Sequence, residues 1–148
     1  MAVPVIEYIS QNIETVLNTI SAVTVIRSTR IDFDDVTPAD SNVLLTLDNV
    51  EHLDGSEGPS NVNTYNASFR LAGFIFDVAG SATPVDQRIG ILTSDIIKQL
   101  NLDHTRGGYA LRTTVTNIDY VHDEQINGGL VTVVVHYRTA YGDPYTAA

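Results

Sequence analysis

Asp32-Phe33-Asp34-Asp35-Val36 is the densest run of acids in the chain. A calcium loop opening at Asp32 would place Asp34 at its third position, but Val36 then falls at the fifth, Thr37 at the sixth and Val43 at the twelfth. Those three positions need an oxygen ligand, a glycine and a bidentate glutamate, so the pattern fails. The histidines, His52, His104, His122 and His136, include no pair at helical i, i+4 spacing, which removes the usual zinc helix. Asp103-His104 has the composition of a base with its orienting acid, and a small hydrolase is the enzymatic alternative. Its nucleophile would have to come from elsewhere, and adjacent residues on a turn rarely face each other. The simpler reading is that His104 and Arg106 follow a helix and complement its negative end. The chain has no cysteine, so disulfides and thiolate chemistry are excluded. There is no G-x-S-x-G, Walker loop or G-x-G-x-x-G. Gly107-Gly108 and Gly128-Gly129 read as turns, since neither leads directly into a helix. No catalytic set, metal or cofactor is expected.

Two helices frame these residues. Ile6, Ile9, Ile13, Val16, Leu17 and Ile20 recur at three- and four-residue steps, which predicts a helix over 4–20 with one apolar stripe. Thr83-Pro84-Val85-Asp86 predicts a second helix over 84–100, with Thr83 as a hydroxyl N-cap, Pro84 at the first position and an acid near the positive end. Strands are expected at Val23–Phe33, Val43–Leu47, Thr64–Val78, Ala110–His122 and Leu130–Tyr141. A long polar connection over 49–63 separates the second and third, and Asn127-Gly128-Gly129 supplies positive φ angles to the turn of a last hairpin. The third strand has Tyr65, Ala67, Phe69, Leu71 and Ile75 on one face. Its other face begins polar and turns apolar at Ala72, Phe74 and Phe76, as for a strand covered on both sides at one end only. The order predicts one α+β domain spanning 1–148, with an antiparallel or mixed sheet, two helices packed on one face and long polar loops.

The charge narrows the partners. The chain has 148 residues, 8 basic and 18 acidic, for a net charge of −10. Such a protein repels phosphate backbones and anionic membranes. Eight acids and no Lys or Arg lie between Ile31 and Phe69. Asp48, Glu51, Asp54 and Glu57 belong to that run, which reads either as a solvated face or as a patch facing a basic partner or a channel. The N-terminus lacks a basic region and does not read as a signal peptide. No apolar run approaches the roughly 20 residues of a membrane helix. In the last strand Val131, Val133, Val135 and Tyr137 should anchor a core face. Arg138, Tyr141, Asp143 and Tyr145 lie beside or beyond that anchor, on a partly flexible tail over 137–148, where a subunit or partner can reach them.

The amphipathic first helix, the strand Tyr65-Asn66-Ala67-Ser68-Phe69-Arg70-Leu71, the segment Leu100-Asn101-Leu102-Asp103 with Gly107-Gly108 after it, and the ending Val133-Val134-Val135-His136-Tyr137-Arg138-Thr139 with Gly142-Asp143-Pro144-Tyr145 together resemble the tail terminator (tail completion) proteins of long-tailed bacteriophages. The resemblance covers nearly the whole chain and rests on fold and interface features. It implies a structural protein and not an enzyme: a ring, commonly of six subunits, at the head-proximal end of the tail tube. Such a ring stops tube polymerisation and offers a surface to the head-completion or connector protein. Its place is the virion, after assembly in the host cytoplasm. DNA would pass through without specific binding, helped by an acidic lumen. A closed ring needs two different patches per subunit. The acid-rich first half and Arg106, Arg112 and Arg138 in the second half would permit that pairing. Another neck or head–tail joining component is the nearest alternative.

Overall fold

Every second residue from Val131 to Tyr137 is an apolar side chain, and a β-strand sends alternate residues to one face. In the computed structural model Val131, Val133, Val135 and Tyr137 are all buried, while Thr132, Val134, His136 and Arg138 keep partial exposure. The structure describes residues 2–21, 23–27, 41–53, 62–76, 83–122 and 126–148. The elements are α1 (Val5–Leu17), β1 (Val23–Arg27), β2 (Ser41–Leu53), β3 (Val62–Phe76), α2 (Val85–Leu102), β4 (Arg112–His122), β5 (Ile126–Ala140) and β6 (Asp143–Ala147). They form an α+β fold with one mixed six-stranded sheet in the order β1-β2-β3-β5-β4, and β6 also pairs with β5. Among the described residues only β1 and β2 run parallel. The other pairs are antiparallel.

Both helices supply the main core. Val5, Ile9, Ile13 and Leu17 of α1 and Ile89, Leu92, Ile96 and Leu100 of α2 join Ala67, Phe69, Leu71 and Ile75 of β3 and the inward valines of β5. All these sheet residues have the same parity in the register, so the helices lie on one face. On the opposite face Leu44, Ala72 and Phe74 form a second, smaller buried cluster with Ile26 and Leu130. Farther along β3 that face holds Asn66, Ser68 and Arg70, all partly exposed. The double coverage at one end of β3 follows its sequence pattern.

Several boundaries differ from the sequence reading, each for a local reason. β2 is 13 residues long, and Asn49–Leu53 pair with Ser68–Thr64, so part of the expected polar connection is strand. A sheet edge tolerates polar outward residues, which is why this stretch did not read as β. Pro84, not Thr83, is the N-cap of α2 and accepts the first helical bond from Arg88 N–H at 3.1 Å. Gly128 and Gly129 are not a turn. They lie inside β5, paired with Phe74 and Gly73 on one side and with Val121 and Tyr120 on the other. A Cβ on Gly129 would meet Thr93 Cγ2 of α2 at 2.4 Å, and one on Gly128 would meet the Gly73 carbonyl at 2.7 Å. Gly129 lets α2 sit close to the sheet, and Gly128 leaves room for the Phe74 ring on the opposite face. The expected strand beyond Arg27, the Asp32–Asp35 cluster, Asp54 and Glu57 lie outside the described residues.

Candidate functional site

The C-terminal segment, expected as a partly flexible tail, is paired into the sheet as β6. β5 runs to Ala140, Tyr141-Gly142 makes a two-residue turn, and β6 returns with Ala140 opposite Asp143 and Thr139 opposite Ala147. Gly142 has φ +72°, a conformation that needs the missing Cβ. The Asp143 carboxylate then fixes the return strand: Oδ1 accepts from Tyr145 N–H at 3.0 Å and Oδ2 accepts from Thr146 Oγ1 at 2.7 Å. These bonds favour the ionised form and hold its pKa below the ordinary aspartate value, led by the Thr146 bond. Ala148 N–H closes the hairpin on the Arg138 carbonyl at 3.3 Å. The hairpin rests beside α1. Tyr141 and Tyr145 remain 74% and 51% exposed on this rigid frame.

On the sheet face away from the helices, one transverse row carries Glu51 (β2), Asn66 (β3), His136 (β5) and Arg112 (β4). His136 Nδ1 lies 2.8 Å from Asn66 Oδ1. Arg138 is two residues beyond His136 on the same face, and its Nε is buried with no hydrogen-bond partner among the described residues. Asp48 and Glu51 stand exposed on β2. Asp48 pairs with Arg70 of β3 at 3.2 Å. Asp48 and Glu51 thus lie at the β2 side of this face with Arg70 beside Asp48, and Arg112 and Arg138 lie at the β5–β4 side, where Asp119 of β4 also stands exposed. On the helix-side face the row His52–Tyr65–Tyr137 places ring centroids at 5.1 Å spacings across three strands, Tyr65 stacked on Tyr137 and His52 tilted by 40° to Tyr65. Burial, with a smaller contribution from Tyr65, pushes the Tyr137 hydroxyl up to about 12. No sequence signal announces this ladder, because it exists only once the register is set.

Arg106 does not reach a neighbour. It is fully buried, and its Nη2 donates to the Leu100 and Asp103 carbonyls at the C-terminal end of α2. A cation there answers the negative helix end, so the helix-end reading replaces the interface reading. Burial draws the Arg106 pKa down, and the neighbouring Asp103 opposes this. The Asp103 carboxylate accepts from Thr105 Oγ1 at 2.5 Å, Thr105 N–H at 2.9 Å and Gly107 N–H at 2.8 Å. These bonds, the Thr105 hydroxyl first, hold its pKa near 2. Its oxygens are thus engaged by the loop backbone, and no hydrogen bond joins them to His104. The His104 carbonyl accepts from Thr113 Oγ1 at 2.9 Å.

Among the described residues no group of three His, Cys, Asp or Glu side chains could hold a metal. No described helix is long and apolar enough to cross a membrane. The arrangement offers contact chemistry: exposed tyrosines on the hairpin, charged side chains on the sheet face and, among the described residues, strand edges without a partner. No protein-family model matches the chain, and a search of curated proteins returns no match.

Proposed function

We propose that this chain is a structural assembly protein of tail terminator type, forming a ring that caps the head-proximal end of a phage tail tube. The observation that carries the reading is the C-terminal hairpin, which presents Tyr141 and Tyr145 on a frame fixed by Asp143. Tyrosine side chains have few rotatable bonds, so they lose little conformational freedom on contact, and they are enriched at the energetic centres of protein interfaces. Glu51 at one end of a transverse row of the sheet and Arg112 at the other support the same reading, since a head-to-tail ring joins two unlike patches. In this account the hairpin contacts a subunit or the tube, DNA passes the acidic protein without adhering, and the opposite end of the ring receives the connector protein.

Mass is the test. Light scattering and negative-stain images of the purified chain, alone and mixed with tail tubes, should show a closed ring in at least one of the two samples. A strictly monomeric chain that never binds tube ends overturns the proposal.

A further inference from the structure

Three features of the sheet combine into an interface. First, β2, β3, β5 and β4 alternate in direction, so β2 and β4 run opposite ways. A second copy placed beside the first by rotation about a ring axis would bring β4 of one against β2 of the other as an antiparallel pair, the arrangement that two-stranded ladders need. Second, both edges are open among the described residues. Among the described residues β1 pairs with β2 from Ser41 to Leu45, none pairs with the outer side of 46–53, and none pairs with the outer side of β4. Open edges present unpaired N–H and C=O groups, which recruit another strand.

Third, the edges are complementary. The row Glu51–Asn66–His136–Arg112 spans about 14 Å, three strand spacings, with an acid at one end and a cation at the other. Only 8 residues of this chain are Lys or Arg. Arg112 and Arg138 are two of them, and neither makes an ion pair among the described residues. On the helix-side face, Leu47 and Val50 are 41% and 40% exposed at the β2 edge, and Leu111 and Tyr120 are 39% and 55% exposed at the β4 edge. Each edge thus carries exposed apolar groups on one face, and on the other the part of β4 next to Arg112 is cationic where the facing part of β2 carries Glu51, the acid of β4, Asp119, lying seven residues farther along the strand.

We propose that copies of this chain join head to tail by strand addition, the first half of β4 pairing with the outer edge of β2 in the next copy, with Arg112 set against Glu51. The occupant of each edge is a second copy of this chain. The inference rests on the ring reading above and assigns its interface. The irregularities between Leu47 and Asn49 and between Val115 and Asn117 fall at nearby points of the joined edge. Bulges bend and twist a strand. The pairing is therefore limited to the stretch before Val115, and the rotation between copies must carry the rest of β4 clear of β1.

The absence of native cysteine makes the test direct. In this register Thr114 of one copy lies opposite Asn49 of the next, both exposed and both on the face away from the helices. A chain carrying Thr114→Cys and Asn49→Cys, oxidised in air alone and with tubes, should run on a non-reducing gel as a ladder ending at the ring size. Either single variant should stay monomeric on that gel. Arg112→Glu should weaken assembly at least tenfold, and Glu51→Arg in the same chain should restore it. A ring of normal mass with no ladder and no effect of Arg112→Glu overturns this interface while leaving the ring intact. Cross-linking by Thr114→Cys alone would show a two-fold β4–β4 contact and also overturns it. A chain monomeric under every condition overturns the ring reading together with this one.

Discussion

Replacing Arg106 with methionine isolates the contribution of one buried guanidinium. Methionine fills a similar volume, and both residues bear the same penalty for the positive φ of 51° at this site, so backbone strain cancels in the comparison. The native side chain makes two bonds from a charged donor to the Leu100 and Asp103 carbonyls. Such bonds contribute about 1.5–3 kcal/mol each. Against them stand Nε and Nη1, buried without hydrogen-bond partners, and the burial of the charge itself. An unsatisfied buried donor costs about 1–3 kcal/mol, which cancels part of the gain. The variant also leaves carbonyls at the helix end unpaired. The balance is a loss of about 2–3 kcal/mol for Arg106→Met, and about 1 kcal/mol for Arg106→Lys, which keeps the charge and one bond. Urea unfolding below the assembly concentration, followed by far-UV circular dichroism, reads this as a lower midpoint with an unchanged slope. A methionine variant within about 0.5 kcal/mol of the parent, or more stable than it, would refute the reasoning.

Other consequences follow from single contacts. Gly129→Ala should destabilise by about 1–3 kcal/mol, because its Cβ would lie 2.4 Å from Thr93 Cγ2. Thr93→Ser removes that methyl and should recover most of the loss in a double-mutant cycle; additive effects would show that the clash is not the cause. The Asp103 pKa, lowered from 3.8 to about 2, makes its contribution to stability present above the unfolded value and lost as pH falls from about 4 to 2. The full shift would equal about 2.5 kcal/mol, and exposure to solvent reduces this to about 1 kcal/mol. Asp103→Asn should therefore cost about 1 kcal/mol at neutral pH and nothing near pH 2, with a pH-independent difference contradicting the assignment. Tyr141→Ser with Tyr145→Ser should leave unfolding within about 0.5 kcal/mol of the parent, since both rings are largely exposed, while tube binding falls; unchanged tube binding would remove the hairpin from the interface.

The elements that read clearly in the sequence are those whose periodicity decides burial. The stripes of Ile9, Ile13 and Leu17 and of Ile89, Leu92, Ile96 and Leu100 face the sheet as their spacing requires, and the alternation from Val131 to Tyr137 buries its apolar half. The switch of β3 from a polar to an apolar second face was also legible at Ala72 and Phe74. What failed depends on contacts between distant residues. Gly128-Gly129 has turn composition, but the nearness of Thr93 and Gly73 decides its role, and neither is near in sequence. β6 is short, exposed and contains Pro144, so nothing in its pattern separates it from a loose end; the Asp143 bonds and the Gly142 turn make it a strand. Arg106 carried two readings, helix end and subunit contact, and only its burial distinguishes them. Of the expected interface residues, Arg112 and Arg138 share a sheet face, Tyr141, Asp143 and Tyr145 share the hairpin, and Asp48 and Glu51 lie at the opposite sheet edge.

Under the proposed function this protein ends tail-tube growth. Tubes polymerised from purified tube protein, with increasing amounts of this chain added, can be measured for length by electron microscopy. The account predicts that mean length falls as the chain is added, that each finished tube carries one ring at one end, and that capped tubes do not elongate when fresh tube protein is supplied. Tubes that grow to the same length with and without the chain, and bear no added density at either end, would contradict it.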